Sequence, residues 1–199
     1  YAVLDGASSL GQLDGSIASN TVAKCLLENN NNSLYERVKK GNDNLCEIIK
    51  DYMGVDNLNI LNKHDLSTTG LIGVEIKNNR LFYIHSGDCL LVLKLKNEEI
   101  RVVSYDMLSK LDLSVLKKGE KLRETLPENT NIRELINDDL VFNRNLLNTE
   151  TGYSVIDGSE EALSLIEEGN LSLNFVEQIL LISDGLILDR KSTRLNSSH

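Results

Sequence analysis

Apolar residues in this chain keep two different rhythms, and the switch between them lays out the elements. From residue 15 to residue 53 they recur at helical spacing. Ile17, Val22, Cys25 and Leu26 share one side of a helix predicted over residues 15–30, closed by the run of asparagines from Asn29 to Asn32. Ser33, with Glu36 three residues on, has the form of a capping box. The helix it opens carries Leu34, Val38, Leu45, Ile48, Ile49 and Tyr52 and stops at Gly54, with Gly41 as a point of interruption. Two successive helices predict a helical layer.

From about residue 69 the rhythm shortens. Residues 69–76, 80–85, 89–95 and 99–103 read as strands joined by short turns, which predicts consecutive antiparallel meanders. Asn78 and Asn79 suit a tight hairpin because asparagine tolerates positive φ. Some strands are apolar on both faces, as in a sheet covered on both sides within a sandwich. Residues 105–118 and 131–147 read as helices, and 119–129, with the lone Pro127, as a loop. Residues 152–156 read as a strand, Asp157 and Gly158 as a turn, and 160–168 as a short helix.

Composition narrows the classes. The 199 residues suffice for one domain with a sizeable core, and 41% hydrophobic with 26% charged content is ordinary for a soluble globular protein. The formal net charge of -9 argues against nucleic-acid or anionic-membrane partners, which need a clustered basic surface. Cys25, Cys46 and Cys89 are isolated and odd in number, which argues against a zinc site or a disulfide framework and fits reduced thiols in a cytoplasmic protein. No apolar run reaches a membrane span. The chain starts at Tyr1 inside an apparent strand and ends in a basic, serine-rich stretch. It therefore reads as a domain over residues 1–189, cut at both ends, with 190–199 a foreign or flexible tail.

The chemistry gathers where apolar runs stop at Asp-Gly pairs. Ala2, Val3 and Leu4 run into Asp5 and Gly6, and residues 179–183 run into Asp184 and Gly185. A buried strand ending in a carboxylate and a glycine points an acid out of the sheet edge, and two such ends make a hard-oxygen site for Mg2+ or Mn2+. Between them lie Ser67, Thr68, Thr69 and Gly70, then Ser86, Gly87 and Asp88. Alone, each pair is more often a turn, as Asp14-Gly15 and Asp157-Gly158 are read here. Gly87-Asp88 also serves as a hairpin turn. His64 and His85 read as loop and strand residues, and Cys89 as core.

The ordered set resembles the PP2C (PPM-type) metal-dependent serine/threonine protein phosphatases. That resemblance implies an α+β fold, a two-layer antiparallel β-sandwich flanked by helices (αββα). It implies hydrolysis of phosphoserine and phosphothreonine in a phosphoprotein substrate by a water activated between two Mn2+ or Mg2+ ions, about 3.5–4 Å apart. It matches Asp5 to the carboxylate bridging both ions, Gly6 to a backbone-carbonyl ligand, Asp184 to a ligand of the first ion, and Asp88 to a third, weaker site. Thr68 and Thr69 match a structural segment beside the site. Many relatives carry Asp-Gly-His-Gly-Gly, whose His is assigned as the leaving-group acid. Here Ala7, Ser8 and Ser9 follow Gly6, so that acid is missing. An upstream Arg and acidic residue would fall before Tyr1, and a final Asp after Asp189. This chain alone is therefore expected to bind metal weakly and turn over little. The alternative is a catalytically weak member acting as a regulatory or binding module. A different phosphatase or nucleotide enzyme is a weaker reading, since the chain has no GxxxxGK[ST], DxD or Cys-x5-Arg run, and a Rossmann reading fails for want of GxGxxG.

Overall fold

The computed structural model describes residues 1–28, 31–106 and 108–183. Its strands are β1 (Ala2–Ala7), β2 (Thr68–Lys77), β3 (Arg80–Ser86), β4 (Leu90–Leu95), β5 (Ile100–Val102), β6 (Glu167–Ser172) and β7 (Val176–Ile182). They form two antiparallel sheets, one ordered β1-β2-β3-β6 and the other β5-β4-β7.

Alternation along β2 sends one set of side chains to each side. Leu71, with Ile84 of β3, faces α1 (Gly15–Leu26) and α2 (Leu34–Met53), where Ala18, Val22, Val38, Leu45 and Ile49 are buried. Ile72 and Val74, with Leu81, face the second sheet and meet Cys89, Leu91 and Leu93. Each fully buried aliphatic side chain contributes about 1.5–3 kcal/mol relative to exposure, so these two interfaces hold the layers together. The order is helices, four-stranded sheet, three-stranded sheet. On the outer face of the last sheet Ile100, Val102 and Leu180 remain exposed among the described residues.

Local chemistry accounts for the element ends. Ser33 Oγ accepts from the Glu36 N–H at 3.2 Å while the Ser33 N–H donates to Glu36 Oε2 at 2.7 Å, a complete capping box. Gly54, at φ 65°, closes the same helix. Gly41 does not interrupt it. A Cβ there would lie 3.0 Å from Val22 Cα, so this glycine is where the two helices cross closely. Asn78 and Asn79 have φ of 49° and 58°, the backbone that a two-residue hairpin turn requires.

The structure departs from the sequence expectation in several places. β3 and β4 are not paired; the chain changes sheets at Gly87 and Asp88, so this pair is a crossover rather than a hairpin turn. α1 stops at Leu26, short of the asparagines. A third helix, α3 (Leu108–Thr125), runs through Gly119 and ends just before Pro127, which disfavours helical backbone in the residue preceding it. Residues 152–156 make only isolated bridges, Leu147 to Tyr153 and Thr69 to Ile156. The helix predicted over 160–168 is cut to α6 (Glu160–Ser164), because Glu167 and Glu168 pair with His85 and Ile84 as part of β6. The region before it holds α4 (Ile132–Leu135) and α5 (Asn137–Asn145), with Leu108 and Leu111 of α3 packed on Leu147, Tyr153 and Val155. No described helix is long and apolar enough to cross a membrane.

Candidate functional site

The site is built where three strand ends converge. β1 and β2 are in register with Asp5 opposite Gly70 and Ala7 opposite Thr68. Val3 of β1 packs between the sheets and Leu4 packs toward the helices. Asp5 shares the parity of Val3, which directs its half-buried carboxylate into the end of the space between the sheets. The Thr69 hydroxyl lies 3.0 Å from the Asp5 carbonyl and 2.8 Å from that of Gly70, which fixes the backbone beneath the carboxylate.

Asp88 arrives from the other direction, at the crossover from β3 to β4. Its position depends on two glycines. A Cβ on Gly70 would lie 2.8 Å from Asp88 Oδ1, so the missing side chain is the space this carboxylate occupies. Gly87 has φ 86°, and a Cβ there would lie 2.8 Å from Gly70 Cα. Only glycine combines that backbone with that approach. Asp5 and Asp88 thus line one cavity of about 250 Å³, together with Thr68, Tyr153, Asn143 and Arg144. A larger cavity, about 610 Å³, opens at the opposite end of the sandwich beside Leu93, Leu171 and Phe175, and contains no carboxylate.

Gly6 has a different surrounding from that of a residue left bare for a ligand. A Cβ on it would lie 2.3 Å from the Gly15 carbonyl oxygen, so the first turn of α1 packs directly on this backbone. Asp14 caps that helix through Ser16 at 2.7 Å, and the bond holds its carboxyl below the ordinary range. Ser8 and Ser9 are also structural. Their hydroxyls accept the N–H groups of Gly15 and Leu13 at 3.2 and 2.9 Å and fix the loop after β1.

Among the described residues no three His, Cys, Asp or Glu side chains converge as a metal cluster. Asp5 and Asp88 are hard-oxygen donors of the kind Mg2+ and Mn2+ take, and they fit a divalent ion. Asp184 lies outside the described residues. The strand leading to it pairs Ile182 with Leu90, two residues from Asp88.

The remaining titratable candidates sit elsewhere. His85 is buried in β3, with Nδ1 3.4 Å from Glu167; burial pushes its imidazole below the ordinary range against the pull of that carboxylate. His64 lies in a short 3-10 turn (Lys63–Asp65), and its carbonyl accepts from Leu10. Cys89 is core, and all three cysteines are free thiols. Asp157 is buried; it accepts from Ser159 at 2.6 Å and Asn148 at 2.8 Å, while burial pushes its carboxyl up. It ties the turn before α6 into the core and takes no part in the cavity. Asn143 and Arg144 are the site residues the sequence did not reveal. They sit in a helix with no motif, and only the fold brings them to Asp5.

No protein-family model and no curated protein matches the chain. Solved structures do. The chain is similar to a serine/threonine protein phosphatase PstP catalytic domain in complex with two manganese ions, at 19% identity and TM-score 0.57, covering 93% of this chain and 66% of that one. It is similar to PstP/Ppp of Mycobacterium tuberculosis, at 17% identity and TM-score 0.53, covering 93% of this chain and 68% of that one. Stp1 of Staphylococcus aureus matches at 15% identity and TM-score 0.54, covering 98% of this chain and 68% of that one. What is shared at such identities is architecture: the chain has the fold of the PP2C-type serine/threonine phosphatase catalytic domain, an α+β sandwich. It spans about two thirds of the length of these structures.

Proposed function

We propose that the protein hydrolyses phosphoserine and phosphothreonine esters of proteins with the help of divalent metal ions. The observation that carries this reading is the convergence in one cavity of Asp5, its backbone held by Thr69, and Asp88, placed by the close approach of Gly70 and Gly87, at the end of the sandwich to which β7 also runs. The neighbours described as serine/threonine phosphatases, one of them holding two manganese ions, support it.

Asp5, the Gly6 carbonyl and Asp184 would hold two Mn2+ or Mg2+ ions, and Asp88 a third. Bound there, such ions neutralise phosphoryl charge and acidify water. The protein's own residues prepare the cavity. The Thr69 hydroxyl anchors the backbone of Asp5, so the carboxylate is presented without reorganisation. Ser8 and Ser9 hold the following loop closed on itself, leaving no side chain there to act as leaving-group acid. We keep residues 1–189 as the domain unit. Free thiols support a reducing compartment, the cytoplasm.

The test is Mn2+-dependent hydrolysis of an aryl phosphate by a full-length version of the protein, since this chain spans about two thirds of the length of the phosphatase structures it resembles. Asp5→Asn is expected to lower the rate at least about a hundredfold, roughly 2.7 kcal/mol of lost transition-state stabilisation, while the melting temperature stays put. Turnover that survives the substitution ends this reading. Mn2+ binding without turnover in the unaltered protein would favour a regulatory or binding module instead.

A further inference from the structure

The carboxylates explain one wall of the cavity; α5 makes another. Arg144, near the C-terminal end of that helix, donates from Nη1 to Thr68 Oγ1 at 3.1 Å and from Nη2 to the Ser8 carbonyl at 3.0 Å. Both acceptors are neutral, and among the described residues the guanidinium forms no ion pair. These bonds fix its plane within a few residues of Asp5 and leave further N–H groups for another partner. Beside it, Asn143 is only 9% exposed, and its Nδ2 has no acceptor. A buried donor left unpaired costs about 1–3 kcal/mol, so such a group calls for a partner.

A pinned, unpaired guanidinium and an orphaned amide N–H on one small cavity lack the same thing: an acceptor-only, anionic ligand. The planar fork of Arg matches a tetrahedral oxyanion. We infer that Arg144 and Asn143 form the phosphoryl-binding subsite of this cavity, holding non-bridging oxygens of the substrate phosphate on the side away from its ester. The identity of the anion rests on the phosphatase reading above. A plainer role for Arg144 is as a latch between α5 and the β1–β2 end, since a cation in the last turn also complements the helix dipole. The two roles separate in Arg144→Gln, which keeps a donor toward Thr68 but loses the charge.

The experiment titrates inorganic phosphate into the protein in Mg2+, followed by calorimetry and by the phosphate-induced rise in melting temperature. The unaltered protein, Arg144→Gln, Arg144→Lys and Asn143→Leu are compared, and each is also melted without phosphate. Expected is a loss of phosphate affinity of about tenfold or more in Arg144→Gln, a smaller loss in Arg144→Lys, and ligand-free melting close to the unaltered protein in both. Asn143→Leu should weaken phosphate while leaving ligand-free stability equal or higher, because it removes the orphaned donor. Unchanged phosphate affinity with lowered ligand-free melting makes Arg144 a latch and overturns the inference. No phosphate binding by the unaltered protein overturns it too. If aryl-phosphate turnover depends on Asp5 while phosphate binding ignores Arg144, this subsite fails and the phosphatase reading stands. If phosphate binds through Arg144 but no ester is hydrolysed, the anion site stands and the phosphatase reading fails.

Discussion

Single residues at this site are legible in the sequence only when their chemistry also makes a pattern. Asp5 and Asp88 stand out because each adjoins a glycine at the end of an apolar run, and the structure gives those glycines definite tasks. Gly70 leaves room for the Asp88 carboxylate, Gly87 supplies positive φ and close approach, and Gly6 admits α1. Arg144 leaves no such mark, since a lone Arg in a helix has many solvent-facing precedents. His85 also has a consequence the sequence hides. Burial lowers its folded-state pKa below the ordinary 6.5, with Glu167 pulling the other way. Below that value the unfolded chain takes up a proton that the folded state resists. The His85 contribution is therefore fully present above about pH 6.5 and declines as pH falls toward the folded pKa. Melting temperature should drop between pH 7.5 and 5.5, and the drop should be smaller in His85→Gln. Equal slopes in the two proteins would show that His85 is not buried neutral.

Elements are legible where a local rule and the tertiary context agree. The α2 boundaries follow from Ser33, Glu36 and Gly54, and the β2–β3 hairpin from two asparagines at positive φ. Removing the cap in Ser33→Ala should cost about 1 kcal/mol in urea unfolding, with no change in denaturant slope, because the loss is one satisfied N–H and not a change of core. A cost below about 0.3 kcal/mol would mean the capping box is not formed in solution. β6 was not legible because Glu167, Glu168 and Asn170 look solvated; only pairing with β3 makes them a strand. Residues 152–156 have strand composition but bridge the sheet at single points, where Ile156 meets Thr69. Pairing partners distant in sequence decide both outcomes.

At the scale of the molecule, the sandwich follows from apolar residues on both faces of β2, yet the assignment of strands to sheets does not. Short turns suggest a continuous meander, whereas Gly87 and Asp88 carry the chain from one sheet to the other, and that crossing is what sets a carboxylate over the end of β1. The site is thus a product of topology: β1 at one end of the chain and the β3–β4 crossover in its middle share a cavity. The most direct measurement is calorimetric titration of Mn2+ into the unaltered protein, Asp5→Asn and Asp88→Asn, with melting curves for each. Ions held side by side in one cavity predict that Asp5→Asn weakens Mn2+ binding at least about tenfold and that Asp88→Asn removes the weakest-bound ion, while the fold stays intact in both. Mn2+ binding with unchanged affinity and stoichiometry in Asp5→Asn would contradict the account.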